Sequence, residues 1–190
     1  MPLGFGLDVF FGIRVCGLSS RIIRRDNGLD AYMGGRLLHW RRNSRYSQNR
    51  MSEHSLSQAE IDLLQLKARE AAKNSYSPYS RFRVGAAILL ESGDVVTGTN
   101  VENASYRLTS CAEQAAIASA VTRFGPEIRI RAVAVANLNE AASMPCGACR
   151  QTILEFASAD APVFYPGEDG KAVSTTIGDL LPAGFRLLAE

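Results

Sequence analysis

Two short cysteine motifs, each at the start of a predicted helix, constrain the fold of this chain more than any other feature. Cys111-Ala112-Glu113 opens a stretch of helical composition over 111–124, and Pro145-Cys146-Gly147-Ala148-Cys149 opens another over 146–156. Residues 130–136, between them, form an apolar, β-branched run with the length of a buried strand. A strand between two helices implies a parallel crossover, which can bring both helix starts to the same edge of a sheet.

Three cysteines in this arrangement suit a catalytic zinc ion. Structural zinc usually has four protein ligands, whereas catalytic zinc has three and leaves a position for water, whose pKa falls to roughly 7. A helix N-terminus favours thiolates and lowers their pKa, and both motifs lie at predicted helix starts. Glu113 follows Cys111 by two residues, so it would lie near the metal without coordinating it and could shuttle protons.

Other interpretations of these residues explain less of the pattern. Cys146 and Cys149 could form a redox pair, which would leave Cys111-Ala112-Glu113 without a role. A structural zinc site would need a fourth ligand, for which His54 is a remote candidate. Disulfides are not expected in a cytosolic chain. Glu113 taken alone would be an ordinary favourable charge in the first turn of a helix.

The rest of the pattern after Met51 predicts one α/β domain over 51–190. Ser57-Gln58-Ala59-Glu60 is a capping box that predicts a helix over 57–73. A hairpin over 84–101 turns at Ser92-Gly93-Asp94, and further short strands are predicted at 163–165 and near Val173, before a short helix over 177–181. We therefore predict a three-layer α/β/α sandwich around a mixed sheet of about five strands.

Charge divides the chain near Met51. The 190 residues are 46% hydrophobic and 21% charged with a net charge of +2, which is a globular composition without an apolar run long enough for a membrane-spanning helix. Residues 1–50 have nine Arg against three Asp, a net charge of +6, whereas residues 51–190 have twelve basic against sixteen acidic residues, a net charge of −4. We interpret residues 1–50 as a disordered or non-native extension. A targeting peptide and a nucleic-acid-binding arm around Trp40 and Tyr46 are the alternatives.

Four motifs in order give residues from about Leu56 to Leu187 a close resemblance to the small, homotetrameric zinc-dependent cytidine deaminases. Two of them are the cysteine motifs, the second continuing through Arg150-Gln151. The other two are Tyr76-Ser77-Pro78-Tyr79-Ser80-Arg81-Phe82-Arg83-Val84-Gly85-Ala86-Ala87 and Asn100-Val101-Glu102-Asn103-Ala104-Ser105-Tyr106. The resemblance implies that Cys111, Cys146 and Cys149 bind one Zn²⁺ per subunit. It also implies that Glu113 is the catalytic proton shuttle.

The same resemblance implies a set of substrate contacts, some of them made across subunits. The matching residues are Phe82, Asn100, Glu102, Ala104, Tyr106 and Phe185. Phe82 would stack on the pyrimidine, and Asn100 and Glu102 would hold the sugar hydroxyls. Ala104, Tyr106 and Phe185 would complete the site of a neighbouring subunit. Core packing for Phe82, a turn for Asn100 and cover of its own core for Phe185 are the structural alternatives.

One position near the metal departs from the family. Many relatives have Arg directly after the catalytic Glu, where this chain has Gln114. Three thiolates on Zn²⁺ sum to a charge of −1, so a missing cation would make the metal less electrophilic. We hypothesise that Arg107, four residues before Cys111, supplies the compensating charge.

The resemblance implies an enzyme of cytoplasmic pyrimidine salvage that deaminates cytidine and deoxycytidine to uridine and deoxyuridine, hydroxide attacking C4 of the ring. A deaminase of blasticidin-type nucleoside antibiotics is the alternative with the same chemistry. A metal-binding module without catalysis and a nucleic-acid editing enzyme are further alternatives, the latter without support from the net charge of −4 in the domain. We expect neither nucleic acid nor a membrane as partner.

Overall fold

The computed structural model describes residues 56–187, together with the backbone of five short strands between residues 14 and 41. The chain divides into two compact units, Met1–Ser55 and Leu56–Glu190. The strands of the first unit are β1 Arg14–Val15, β2 Leu18–Ser19, β3 Arg21–Arg25, β4 Gly28–Met33 and β5 Arg36–Arg41. They pair antiparallel, as β1-β2 and as β3-β4-β5. Our interpretation of residues 1–50 stays a prediction. Tyr46, Met51 and His54 lie outside the described residues.

The second unit is a three-layer α/β/α sandwich, as predicted. Its elements are α1 Gln58–Ala72, β6 Val84–Leu90, β7 Val95–Thr99, α2 Ala112–Phe124, β8 Ile130–Asn137, α3 Gly147–Phe156, β9 Pro162–Pro166, β10 Ala172–Thr176 and α4 Ile177–Leu180. The five strands form one mixed sheet in the order β10-β9-β8-β6-β7, in which β8 and β9 are parallel and the other pairs antiparallel. None of the helices in the described part of the chain is long and apolar enough to span a bilayer.

The predicted capping box starts α1. The Ser57 backbone N–H donates to Glu60 Oε2 over 2.8 Å, and the Glu60 N–H donates to Ser57 Oγ over 3.3 Å, so two free N–H groups of the helix start are satisfied. Leu64, Ala68 and Ala72 then recur every four residues and are buried against one face of the sheet. The helix therefore packs along a narrow stripe of mostly small side chains.

The opposite face of the sheet is covered by α2 and α3. Ala112, Ala116 and Ala120 of α2 and Ile153 of α3 are buried in one apolar cluster with the alternate residues of the strands. Gly98 of β7 lies under α2, and a Cβ there would collide with the backbone of Ala112 and Ala116. The absence of a side chain at Gly98 is thus what lets α2 lie directly on the strand.

The sheet order brings the starts of α2 and α3 to the same edge. β7 and β8 both run antiparallel to β6, which lies between them, so β7 and β8 are parallel to each other. α2 follows the carboxyl end of β7 and α3 follows that of β8. The predicted crossover is confirmed, and with it the meeting of the two helix starts.

The second hairpin strand is shorter than predicted. It ends at Thr99 rather than at residue 101. Beyond it the N–H of Val101 donates to the carbonyl of Ser110, and Val101 forms isolated bridges with Tyr76 and Ser110 instead of continuing along β6. β6 begins at Val84, and the Asn100 side chain bonds to Val84 and Phe82 at that point, so β7 has no further partner residue in the strand.

Candidate metal centre and substrate site

Three cysteine sulfurs converge at the shared edge of the sheet. The Sγ atoms of Cys111, Cys146 and Cys149 all lie within 4.8 Å of one another, and those of Cys111 and Cys146 are 3.9 Å apart. Sulfurs around a tetrahedral zinc ion are roughly 3.8 Å apart, given Zn–S bonds of about 2.3 Å. The donor set and its spacing therefore fit Zn²⁺ with three protein ligands.

The helix starts place these sulfurs. Cys111 is the N-cap of α2 and Cys146 the N-cap of α3, both with extended backbone, and each helix begins one residue later than predicted. Cys149 lies one turn into α3 and is only 1% exposed. Positive helix ends thus face the sulfurs of both segments, which favours the thiolate form that a metal requires.

The cysteine thiols shift one another's pKa. A hydrogen bond from the Cys149 thiol lowers the pKa of Cys111 from 9.0 to about 7. The same hydrogen bond, together with burial, raises the pKa of Cys149. A metal ion bound here would displace the thiol protons, because its ligands must be thiolates.

Glu113 lies in the first turn of α2, 4% exposed, beside the Cys149 thiol. Burial raises the pKa of its carboxyl above the usual 4.5. A carboxyl whose affinity for a proton is raised in this way is better suited to accept one, which is a property that a proton shuttle needs. Among the residues the structure describes, the metal-competent cluster consists of the three cysteines and does not include Glu113.

Asn100 and Glu102 both bond to the loop that holds Phe82. Asn100 Oδ1 accepts from Ser75 Oγ over 2.5 Å and from the Val84 N–H over 2.9 Å, and Asn100 Nδ2 donates to the Phe82 carbonyl over 2.8 Å. One N–H of the Asn100 amide remains for a ligand. Both side chains thus reach the same loop from positions just beyond the end of β7.

The carboxylate of Glu102 accepts hydrogen bonds from the same loop, just before Phe82. Its oxygens accept from the Ser80 hydroxyl, from the Tyr79 N–H over 2.9 Å and from the Ser80 N–H over 3.2 Å. These bonds, that with the Ser80 hydroxyl first, lower the pKa of Glu102 below 4.5. A carboxylate has about four acceptor sites, so Glu102 can still accept from a sugar hydroxyl.

The residues expected to act across subunits are on the surface. Ala104 is exposed, Tyr106 is 78% exposed in the 3₁₀ turn Tyr106–Leu108, and Phe185 is 58% exposed. Gln151 Nε2, on α3, donates to the Phe185 carbonyl over 2.7 Å and so fixes the tail that carries this ring. Phe185 therefore projects from a tail that is anchored to the helix of Cys149.

Arg107 is exposed in the 3₁₀ turn, and within the described part of the chain no hydrogen bond or ion pair joins it to a cysteine. Arg150, which belongs to the second cysteine motif but was assigned no role from the sequence, follows Cys149 directly. Its Nε donates to the Pro145 carbonyl over 2.7 Å and its Nη1 to the Leu180 carbonyl over 2.9 Å. It thus holds a cation at the start of α3.

Two asparagines at the end of β8 were likewise assigned no role from the sequence. Asn137 is 3% exposed and binds the loop that leads to Cys146, and Asn139 binds the loop around Phe82. The available signal was a pair of amides directly after an apolar strand and shortly before the Pro145-Cys146 motif.

The chain is similar in sequence to known proteins. Residues 59–165 match the family model described as the cytidine and deoxycytidylate deaminase zinc-binding region. A cytidine deaminase of Halalkalibacterium halodurans is 41% identical over 119 residues, which is 63% of this chain and 89% of that protein. A cytidine deaminase of Mycobacterium tuberculosis is 42% identical over 126 residues, 66% of this chain and 90% of that protein.

A blasticidin-S deaminase of Bacillus cereus is a more distant relative, 31% identical over 141 residues, 71% of this chain and 98% of its own length. Solved structures agree with the sequence matches. The cytidine deaminase of Mycobacterium tuberculosis aligns with a TM-score of 0.59 and 41% identity over 67% of this chain and 98% of its own. That of Burkholderia pseudomallei aligns with a TM-score of 0.59 and 39% identity over 65% of this chain and 98% of its own.

Proposed function

This chain belongs to the cytidine and deoxycytidylate deaminase family, and from that premise we propose that it deaminates cytidine and deoxycytidine to uridine and deoxyuridine with release of ammonia. The supporting observation is the convergence of three cysteine sulfurs beside the buried carboxyl of Glu113. A closed structural site would not need a buried acid next to an incomplete ligand set.

Each residue of the centre has a separate task. Zinc held by Cys111, Cys146 and Cys149 would lower the pKa of water toward neutrality and so make hydroxide available. Glu113 would take up one proton of the water on a carboxylate oxygen and pass it to the pyrimidine ring nitrogen as the C–O bond to C4 forms. It would then carry the second proton, from the new C4 hydroxyl, to the amine, so that the C4–N bond breaks and leaves the C4 carbonyl of uridine and free ammonia.

The loop around Phe82 and the two polar residues beneath it would hold the nucleoside. The half-buried ring of Phe82 would stack on the pyrimidine. The free N–H of Asn100 and the spare acceptor sites of Glu102 would take a sugar hydroxyl each. Because sugar contacts contribute to the rate as well as to binding, free cytosine should be a poor substrate.

We further propose a homotetramer in which Ala104, Tyr106 and Phe185 complete a neighbour's site. Their exposure in the single chain and the anchoring of the Phe185 tail by Gln151 support this. Mixing two impaired variants, Glu113→Gln and Phe185→Ala, would test it. Shared sites would combine an intact Glu113 with an intact Phe185, so the mixture should be more active than the sum of its parts; activity equal to that sum would contradict sharing.

We place the reaction in the cytoplasm, where thiol ligands stay reduced. Cytidine, deoxycytidine and blasticidin S should be assayed side by side on the full chain, with zinc measured on the same sample. We expect turnover of the two nucleosides and little of the antibiotic. The reverse ranking would favour the antibiotic deaminase, for which the Bacillus cereus relative and Gln114 in place of Arg are the specific observations.

A Glu113→Gln variant separates an enzyme from a metal-binding module. It keeps the three sulfurs but removes the proton acceptor, so we expect activity to fall by roughly 10²–10⁴-fold while zinc remains at the level of the unmodified chain. Retained activity would contradict the role of Glu113. Tight zinc without turnover in the unmodified chain would instead favour the module.

A further inference from the structure

The loop between β8 and the second cysteine motif is shaped by one buried amide. Asn137 Nδ2 donates to the Ala141 carbonyl over 2.6 Å and to Ser143 Oγ over 2.8 Å. Its Oδ1 accepts from the Asn139 N–H over 2.8 Å and from the Ala141 N–H over 3.3 Å. Asn137 thus folds residues 138–144 into a compact loop that ends at Pro145 and Cys146.

Asn139 joins this loop to the one that carries Phe82, in a contact we call the Asn139 junction. Asn139 Nδ2 donates to the Arg81 carbonyl over 3.0 Å, and Asn139 Oδ1 accepts from the Arg83 N–H over 2.9 Å. The Leu138 N–H donates to the Arg83 carbonyl over 3.1 Å. One side chain therefore holds the backbone on both sides of Phe82.

Backbone strain is concentrated at the same junction. Among the described residues, the two non-glycine residues with positive φ are Arg81 at 57° and Glu140 at 53°. Arg81 gives its carbonyl to Asn139, and Glu140 is the next residue after Asn139. Left-handed backbone in such residues persists where surrounding contacts fix it, and it is concentrated at functional sites.

We propose that Asn139 is a positioning residue that sets Phe82 against the pyrimidine and keeps the Phe82 loop in register with the loop of Cys146. The role rests on the proposed function and extends it to a residue that does not touch substrate. Ser80 Oγ accepts from the Phe82 N–H over 2.9 Å, and Asn100 holds the Phe82 carbonyl, so Asn139 supplies the remaining restraint on either side of the ring residue.

A double-mutant cycle between Asn139 and Phe82 tests this role. Phe82→Ala should raise the KM for cytidine roughly tenfold or more, the effect of losing an aromatic stacking partner. Asn139→Ala should raise the KM for cytidine about fivefold, because the misplaced ring of Phe82 would stack less well on the pyrimidine. The kcat should change less, and the zinc content should stay the same. In the Phe82→Ala background, Asn139→Ala should then add less than about twofold, because the ring it positions is gone.

Two further variants sharpen the cycle. Asn139→Asp keeps an acceptor for the Arg83 N–H but loses the donor to the Arg81 carbonyl, so its KM should also rise and the rise should also vanish without Phe82. Asn74→Ala is the matched control, since Asn74 is exposed after α1 and its side chain makes none of the hydrogen bonds given for the described residues. It should leave KM unchanged.

The results of these experiments distinguish the positioning role of Asn139 from the proposed function of the protein. Fully additive effects of Asn139→Ala and Phe82→Ala in an active enzyme would overturn the positioning role alone. Loss of zinc or of the folded state in both Asn139 variants, with KM unchanged in the protein that remains, would also overturn it. A zinc-loaded unmodified chain that fails to deaminate cytidine would overturn the proposed function and the role that rests on it.

Discussion

A zinc ion held by three thiolates would carry a net negative charge, and two arginines near the cysteines are candidates to offset it. Three thiolates outweigh the charge of one Zn²⁺, and Gln114 brings no cation to the position after Glu113. Arg107 is exposed in the 3₁₀ turn before α2, whereas the guanidinium of Arg150 is half-buried at the start of α3, bonded to the Pro145 carbonyl. Arg150 is thus bonded within the segment that carries Cys146 and Cys149, which makes it a second candidate beside Arg107.

Comparing Arg107→Gln with Arg150→Gln distinguishes the two cations. We expect Arg150→Gln to weaken zinc binding about tenfold, because positioning partners of metal ligands typically contribute 10–100-fold to affinity. Arg107→Gln should lower kcat sharply if our hypothesis for Arg107 holds. Zinc competition with a chromogenic chelator and steady-state kinetics measure both effects, and unchanged kinetics in Arg107→Gln would remove that residue from the mechanism.

The sequence identifies the metal ligands and Glu113 more readily than it identifies the residues that position them. Cys111, Cys146, Cys149 and Glu113 lie in motifs whose spacing alone indicates their chemistry. Asn139 does not, because its partners Arg81 and Arg83 are more than fifty positions away and only the folded chain brings them together. The long-range contact, rather than the residue type, is what sequence cannot supply.

Among the elements, α1 depends on a charged cap whose strength varies with pH. The Ser57 N–H and hydroxyl, and then Arg131, whose Nη1 is 3.1 Å from Glu60 Oε1, lower the pKa of Glu60 below 4.5. Because the pKa is lower in the folded state than in the unfolded state, the stabilisation is fully present above pH 4.5 and is lost as the pH falls through the folded value.

Glu60→Gln should therefore be less stable than the unmodified chain at pH 7, and the difference should close as the pH falls below about 4.5. Urea unfolding between pH 7 and pH 3 measures the free energy of unfolding of both proteins. Glu127→Gln, at an exposed residue away from this cap, should show no such closing difference. A gap that widens toward low pH would contradict the role assigned to Glu60.

The packing of α2 against β7 sets the position of Cys111. Gly98→Ala would force α2 away from the strand, because the new Cβ meets the backbone of Ala112 and Ala116. We expect a loss of about 1–3 kcal/mol in the free energy of unfolding and zinc below one ion per chain. Gly85→Ala is the matched variant, since its Cβ collides with α1, which carries no ligand. Equal zinc loss in both would contradict a specific role for Gly98.

Element type and order were predictable because periodicity, caps and turn residues are local. The capping box of Ser57 and Glu60 and the turn at Gly93, with φ 90°, illustrate this. The end of β7 was not predictable. Val101 continues the apolar pattern, but β6 begins only at Val84, and Val101 forms bridges with Tyr76 and Ser110 instead, which are tertiary contacts that local sequence does not show.

For the whole molecule, the unit Leu56–Glu190 contains its own apolar core and all three sulfurs. A protein that starts at Met51 should therefore fold, bind one zinc ion per chain and deaminate cytidine with the kcat/KM of the full chain. Circular dichroism, metal analysis and the deamination assay on both proteins test this. A truncated protein without activity would show that residues 1–50 contribute to the enzyme, contrary to our interpretation of them as an extension.

The sulfurs of Cys111 and Cys146 are 35 positions apart in the chain and cap two different helices. A zinc ion bound to both sulfurs would act as a cross-link in addition to its part in the reaction, because it would close a long loop that is open in the unfolded chain. The supply of zinc would consequently affect the amount of folded protein. Cells starved of zinc would hold fewer folded copies of this protein, and those copies would be more open to proteolysis, in addition to working less well.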